Sequence, residues 1–96
     1  MLTFEWDENK ARANLAKHAV SFQEATTVFG DTVSITIPDP EHSQAENRFI
    51  ILGRSHSGRI LVVIHTERGD NIRIISARPA TNEERRQYDG KAGTGF

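Results

Sequence analysis

Hydrophobic and polar residues recur with two different periods along the chain, and the two periods predict where helices and strands lie. Residues 2–6 alternate apolar and polar positions, which is typical of a short, half-buried strand. Helical spacing follows over about 8–18, where Asp7 precedes the first turn as an N-cap residue. A second helix is predicted from Phe22, because the preceding S-x-x-E sequence has the spacing of a capping box, and Gly30 is predicted to end it.

From residue 31 onward the pattern is that of strands. Runs of β-branched and other apolar residues predict four of them, over 32–37, 48–53, 60–65 and 72–77. Residues 55–58 form a short link between the second and third of these strands, and a tight turn at 69–70 joins the third to the fourth. The polar segment 39–46 is predicted to be the one long loop, and the T-x-x-E sequence at 81–84 opens a last helix over about 82–89.

The resulting order, β-α-α-β-β-β-β-α, predicts an α+β fold of two layers. The sheet is mainly an antiparallel four-stranded meander plus an N-terminal strand, with two N-terminal helices and one C-terminal helix. The helices are expected to cover one face, because so small a meander is not stable alone. A length of 96 residues favours a single domain, which we place at 1–89, with a flexible tail over 90–96.

Composition excludes several classes of protein. The chain has no cysteine, so it offers no disulfide, thiol nucleophile or thiolate metal site. Its four histidines lack the spacing of zinc ligands. No apolar run approaches the roughly 18 residues of a membrane helix, and the start of the chain lacks the features of a secretory signal. We therefore predict a cytoplasmic protein without membrane contact, a zinc site or another cofactor.

The net charge of −1 conceals an uneven distribution along the chain. Residues 1–46 carry a net charge of −5, whereas residues 47–96 carry +4. Every cation between positions 48 and 86 is arginine, whose planar guanidinium binds phosphate or carboxylate with two hydrogen bonds. This bias is a reason to look for a phosphate-bearing partner but does not identify one. For most single arginines, a solvated position at a strand edge is the better interpretation.

Three blocks of sequence carry a resemblance to a known family. They are FEWDENKARANLAKHAVSF at the start, RFIILGRS with ILVVIHTERGD in the middle, and IRIISARPATNEERRQY at the end. Together they resemble the BrnT family, ribonuclease toxins of type II toxin–antitoxin modules with a RelE-like fold. The resemblance extends from residue 2 to about residue 88, and Ala19 stands where the family usually has glycine.

The resemblance implies a function. It implies an endoribonuclease that cleaves RNA without a metal and inhibits translation. It also implies a cognate antitoxin of the ribbon-helix-helix, BrnA-like kind that neutralises the toxin in a heteromeric complex. The residues themselves leave open a different class, a non-catalytic arginine-rich module that binds protein or RNA.

Cleavage of RNA without a metal requires a deprotonated 2′-hydroxyl, a stabilised phosphorane and a protonated 5′-oxygen. The resemblance assigns catalytic roles to Lys17, Arg68 and Arg78. From the sequence alone, the better interpretation of Lys17 is a cation in the last turn of a helix, where it interacts favourably with the helix dipole. Arg78 has the alternative of an ion pair with Glu83 or Glu84. The other residues predicted to bind RNA are Arg48, His65 and Arg73.

The register of the hairpin that contains 69–70 decides which of these side chains are neighbours. A two-residue turn places His65 and Glu67 on the face of Arg78. A three-residue turn with a bulge places Arg68 there instead. Two arginines on one phosphate favour the bulged turn.

Other side chains have simpler expectations. Tyr88 is predicted to be exposed. Whether it contacts RNA or the antitoxin is left open by the sequence. Arg54 and Arg59 flank an exposed turn, where replacement by alanine is expected to change stability by less than about 0.5 kcal/mol. Four aromatic residues lie on apolar stripes and are predicted to pack in the core: Trp6, Phe22, Phe29 and Phe49.

Overall fold

The computed structural model describes residues 1–39, 41 and 46–91, and its five strands form one mixed sheet. The strands are β1 (Thr3–Glu5), β2 (Ile35–Pro38), β3 (Arg48–Arg54), β4 (Ile60–Arg68) and β5 (Asn71–Pro79). Their order across the sheet is β1-β5-β4-β3-β2; β1 is parallel to β5 and the other neighbours are antiparallel. The predicted α+β class and four-stranded meander are confirmed, with the N-terminal strand at one edge. Most of the predicted loop 39–46 lies outside the described residues.

The described residues form three α-helices, and their caps follow the sequence signals. The helices are α1 (Glu8–His18), α2 (Phe22–Thr26), which continues as a 3₁₀ turn over Thr27–Gly30, and α3 (Asn82–Lys91). The Asp7 carboxylate accepts a hydrogen bond from the Lys10 amide at 3.0 Å and so caps α1. The capping box of α3 is complete, because Thr81 and Glu84 each accept from the other's backbone amide, at 3.2 and 2.8 Å. Since α3 ends at Lys91, only residues 92–96 of the predicted tail lie outside the described part.

The main core lies between α1, α2 and one face of the sheet, which we call the inner face. Buried side chains of the helical layer meet those of the three central strands there: Val20, Phe22, Ala25, Val28, Ile51, Leu61, Val63, Ile72, Ile74 and Ala77. Of the four aromatic residues predicted to be in the core, Phe22 is fully buried, and Trp6 and Phe29 pack against the cluster. Fully burying one such large apolar side chain contributes about 1.5–3 kcal/mol, so this face supplies most of the hydrophobic stabilisation.

The third helix lies on the opposite, outer face. Tyr88 of α3 is only 3% exposed and forms a second apolar cluster with Leu52, Ile60 and Val62. The expectation that all helices cover one face holds for α1 and α2 but not for α3, and the expectation that Tyr88 is exposed is wrong. The physical reason is that the Tyr88 hydroxyl donates to a carboxylate oxygen of Asp31 at 2.6 Å, so the ring is buried while its polar tip stays hydrogen-bonded.

The contacts of α3 lie at one end of the outer face, where β4 begins and β3 ends. The other end of that face carries Arg48, Arg68 and Arg73, whereas Arg78, which pairs with Val62, lies at the α3 end. None of the helices described here is long and apolar enough to cross a membrane.

Candidate functional site

Four arginines lie on the outer face of the sheet. The register pairs Arg48 of β3 and Arg73 of β5 with Thr66 of β4, so their side chains flank it in one row across three strands. Arg68 lies two residues further along β4 and therefore on the same face. Arg78 is paired with Val62, which belongs to the outer apolar cluster. We call the surface formed by Arg48, Arg68, Arg73 and Arg78 the arginine face.

A bulge inside β5 brings Arg68 and Arg78 to one face. The turn between β4 and β5 has only two residues, Gly69 and Asp70, because Arg68 pairs with Asn71. Its glycine has a φ of +60°, as the first central residue of a type II′ turn requires. The favoured three-residue turn is therefore wrong.

The consequence expected of that turn nevertheless holds, because the extra residue lies elsewhere. Ile64 pairs with Ser76 while His65 pairs with Ile74, which leaves Ile75 as the additional residue of β5. The insertion reverses the alternation along β5, so Arg78 faces the same side as Arg68 and His65 faces the other.

Arg78 is held by a carboxylate. Its Nη1 and Nη2 donate to the two carboxylate oxygens of Glu84 at 2.8 and 2.9 Å, and its side chain remains 41% exposed. This two-pronged arrangement is the one that a guanidinium also makes with two phosphate oxygens. Mainly through the hydrogen bonds from Arg78, the pKa of Glu84 falls to about 2. The ion pair with Glu84 that the sequence left open is therefore present.

Arg68 and Arg73 make looser contacts. Arg68 Nη2 lies 3.2 Å from a carboxylate oxygen of Glu46, with 71% of the arginine side chain exposed. Arg73 Nη1 lies 3.5 Å from a carboxylate oxygen of Glu5, which belongs to the neighbouring edge strand β1. Exposed ion pairs of this kind contribute about 0–1 kcal/mol, so an incoming phosphate can replace either carboxylate at little cost.

Lys17 lies in the last turn of α1 and is exposed. One turn earlier, the buried Asn14 anchors the helix to β5, because its amide donates to the Ala77 carbonyl at 2.8 Å and accepts from the Ala77 amide at 3.1 Å. Ala77 directly precedes Arg78. Lys17 and Arg78 thus lie at the same end of β5 but on opposite sides of the sheet, and among the described residues no contact joins Lys17 to the arginine face.

His65 lies in the core. Its side chain is fully buried on the inner face, with its ring 4.8 Å from the ring of Phe29 and 5.9 Å from the ring of Phe49. Its Nε2 donates to a carboxylate oxygen of Glu67 at 3.0 Å. In this structure His65 therefore offers no surface to RNA, and Phe49, half-buried, packs against it as expected of a core aromatic residue.

A polar network at the β3–β4 turn was not expected from the sequence. One Glu24 carboxylate oxygen accepts from the hydroxyls of Ser55 and Ser57 at 2.7 and 2.6 Å. Arg59 donates to both oxygens of Glu24, at 3.0 and 2.5 Å, and also to the Ala19 carbonyl. The hydrogen bond from Arg59 is the main cause that lowers the pKa of Glu24 to about 2. The expectation that Arg59 is a solvated residue of the turn is therefore wrong.

The sequence signal at Glu24 pointed to a different contact. In the S-x-x-E box only the Ser21 hydroxyl is engaged, accepting from the Glu24 amide at 3.0 Å, while the Glu24 carboxylate turns to the sheet. Arg54 is exposed as expected, with its guanidinium 5.7 Å from the centre of the Tyr88 ring. Within the described residues, no three His, Cys, Asp or Glu side chains cluster in a way that could hold a metal ion.

Fold and site together define a small α+β protein with an arginine-rich face that suits a phosphate-bearing ligand. Residues 6–84 match the family described as ribonuclease toxin, BrnT, of type II toxin–antitoxin system, and the chain belongs to that family. Its fold is similar to the 1.1 Å crystal structure of the Brucella abortus ribonuclease toxin BrnT, with 25% sequence identity and a TM-score of 0.66. That similarity covers 85% of this chain and 100% of the Brucella chain. A search of curated proteins finds no significant match.

The resemblance inferred from the three sequence blocks is confirmed. The protein is a ribonuclease toxin of a type II toxin–antitoxin system, and membership of such a system implies an antitoxin as its partner.

Proposed function

We propose that this toxin is a metal-independent endoribonuclease of the cytoplasm that cleaves RNA and thereby inhibits translation. The observation that carries the proposal is the arginine face, where side chains from three strands are directed to one side of the sheet. In a ribonuclease family, the ligand that best suits such a surface is the RNA backbone.

Arg78 holds the scissile phosphate and the charge that develops on it in the transition state. Arg68 binds another phosphate of the RNA, because six residues of β4, about 20 Å, separate it from Val62, the partner of Arg78. Arg78 already holds two oxygens of one planar anion, and RNA would exchange the Glu84 carboxylate for phosphate. Arg48 and Arg73 hold neighbouring phosphates. His65 acts here only as a core residue, because it is fully buried.

Lys17 is the second catalytic residue of the proposal. It lies at the same end of β5 as Arg78, so RNA that bends around this end of the sheet meets both side chains. There Lys17 would add positive charge near the phosphorane or take the proton of the 2′-hydroxyl.

The test is cleavage of labelled RNA in excess EDTA by the wild type and by Arg78→Ala. Loss of one donor to a transition-state oxyanion costs about 10²–10³ in rate. Arg78→Lys should restore only part of this loss, because an ammonium group cannot form the two-pronged contact. Arg86→Ala removes an exposed arginine of α3 and is the matched control. Activity that EDTA abolishes and Mg²⁺ restores would contradict metal independence.

The antitoxin is proposed to be a ribbon-helix-helix protein, BrnA-like, that neutralises the toxin in a heteromeric complex. What supports this is membership of a type II toxin–antitoxin family. Expression of the toxin alone should arrest bacterial growth, and co-expression of the adjacent reading frame should relieve the arrest. Normal growth at verified expression of the folded protein would count against the toxin.

The Arg78–Glu84 ion pair supports a second candidate, a non-catalytic arginine-rich module that binds protein or RNA. In that case the pair is structural: the folded wild type does not cleave RNA, and Arg78→Ala only lowers the melting temperature. Melting and cleavage measured on the same preparations distinguish the two functions.

A further inference from the structure

A recess opens on the outer face beside Arg78. It has a volume of about 230 Å³ and lies between α3 and the exposed surfaces of β2, β3 and β4. Aliphatic side chains line it, among them Ile35, Ile50 and Val62, together with the polar residues Arg78, Glu84 and Gln87.

The recess adjoins the proposed phosphate site, because Arg78 belongs to both. A nucleotide whose phosphate is bound by Arg78 has its base within reach of the neighbouring surface. The recess suits a flat, largely apolar group, since single-stranded bases are commonly held against apolar or aromatic side chains and recognised along their polar edges.

Gln87 is the polar group best placed to recognise a base edge. Its amide offers both donors and an acceptor, as a base edge requires. Within the described part of the chain, the Gln87 side chain makes no hydrogen bond, whereas Glu84 beside it is engaged by Arg78 and by the Thr81 amide. Gln87 is also exposed at the surface of α3.

We propose that this recess binds one nucleobase of the RNA, that of the nucleotide whose phosphate Arg78 holds, and that Gln87 recognises its edge. The proposal rests on the proposed function and adds a base preference to it. An acidic or apolar protein segment is the competing occupant. The position of the recess next to a phosphate-binding guanidinium favours a base, because that guanidinium can bind the phosphate of the same nucleotide.

Binding is tested by NMR of methyl-labelled full-length protein titrated with the four nucleoside 3′-monophosphates and, separately, with ribose 5-phosphate. The nucleotides should shift the methyl signals of Ile35 and Ile50 saturably, while ribose 5-phosphate should leave them unchanged. The methyls of Leu2, next to the opposite edge strand, are the internal control. Gln87→Ala should weaken binding of the preferred nucleotide about fivefold or more and bring the four affinities closer together. Ile50→Ala provides a second variant that changes the apolar lining of the recess.

Two results would overturn the proposal. One is a set of nucleotide-induced shifts no different from those of ribose 5-phosphate. The other is recess methyls that respond to the purified antitoxin but to none of the nucleotides. Failure of the proposed function has a different signature, since it would be nucleotide binding in the recess with no RNA cleavage by the wild type. Conversely, the RNA cleavage could depend on Arg78 and yet keep its base preference in Gln87→Ala. That result would refute base recognition in the recess and leave the proposed function intact.

Discussion

At the scale of single residues, the central feature is that the Arg78 guanidinium, which we propose binds phosphate, is already hydrogen-bonded to the Glu84 carboxylate. Glu84 binds Arg78 through both oxygens and also accepts from the Thr81 amide at the start of α3. The carboxylate thus orients Arg78 and competes with RNA for it. Which of the two effects is larger can be measured, because the capping contact and the charge of Glu84 can be separated by substitution.

Glu84→Gln should strengthen RNA binding with little loss of stability. Glutamine keeps an acceptor for the Thr81 amide, whereas the competing negative charge is removed. Since the pair is partly exposed, its loss should cost about 0–1 kcal/mol of unfolding free energy. We expect a lower KM for RNA and a nearly unchanged melting temperature. A higher KM would mean instead that Glu84 chiefly positions Arg78.

The same scale explains why the site was only partly predictable. The types of residue pointed to arginines that bind an anion, and the resemblance selected Arg68 and Arg78 among them. The neighbours of Arg78 were not predictable, because one extra residue, Ile75, decides whether Arg78 lies on the face of His65 or on that of Arg68. A bulge of this kind has no characteristic side chain, so nothing in the sequence locates it.

At the scale of elements, the sequence predicted where the helices begin. It did not predict the face of the sheet on which each helix packs. Asp7 and the T-x-x-E box at 81–84 carry local signals for helix starts, and α1 spans the predicted 8–18. The side on which α3 packs depends on contacts of Tyr88 with Asp31, which lies 57 residues away in sequence. Such a long-range contact leaves no periodic pattern in the chain.

The end of α1 gives a prediction about stability. Ala19 has a φ of +57° in the left-handed region, where the side chain of an L-residue is strained and glycine is not. Ala19→Gly should therefore stabilise the fold by about 0.5–1 kcal/mol, with a rise of several degrees in the melting temperature. Ala13→Gly within α1 is the control and should destabilise by about 1 kcal/mol. A fall in melting temperature for both variants would refute the argument from strain.

A second prediction at this scale concerns the contact between α2 and the β3–β4 turn. Arg59→Ala removes the partner of the poorly exposed Glu24 carboxylate and should destabilise by about 1.5–3 kcal/mol. Arg54→Ala, on the other side of the same turn, removes an exposed cation–π contact with Tyr88 and should destabilise by about 0.5–1 kcal/mol. Chemical denaturation of the two variants side by side measures the difference.

The pH dependence of unfolding provides an independent readout of the same contact. The pKa of Glu24 is about 2 in the folded protein and 4.5 as an ordinary value. Because the folded pKa is the lower one, the stabilisation is complete above pH 4.5 and is lost as the pH falls toward 2. Arg59→Ala should flatten this acid dependence. An equally steep dependence in the variant would mean that the serine hydroxyls, not Arg59, depress the pKa.

At the scale of the whole molecule, the uneven charge acquires a spatial meaning. All four cations of the arginine face belong to the half of the chain with net charge +4, while Glu5 and Glu46, which contact two of them, belong to the half with −5. The near-zero total therefore coexists with a surface of arginines, three of which pair with carboxylates. RNA binding to such a surface should depend on salt, because each phosphate that is neutralised releases counterions.

The last prediction is the size of that dependence. For single-stranded nucleic acid, the logarithm of the binding constant falls with the logarithm of salt concentration by about 0.7 for each phosphate contacted. Contacts at all four arginines would give a slope of about −3. Arg73→Ala should reduce the magnitude of the slope by about 0.7. Arg54→Ala removes an arginine outside the arginine face and should leave the slope unchanged. The titration uses an RNA with 2′-O-methyl groups, which cannot be cleaved because it lacks the 2′-hydroxyl. It therefore reports binding alone. A slope near zero would show that the arginines are satisfied by their own carboxylates and do not contact RNA phosphates, whatever the rate of cleavage.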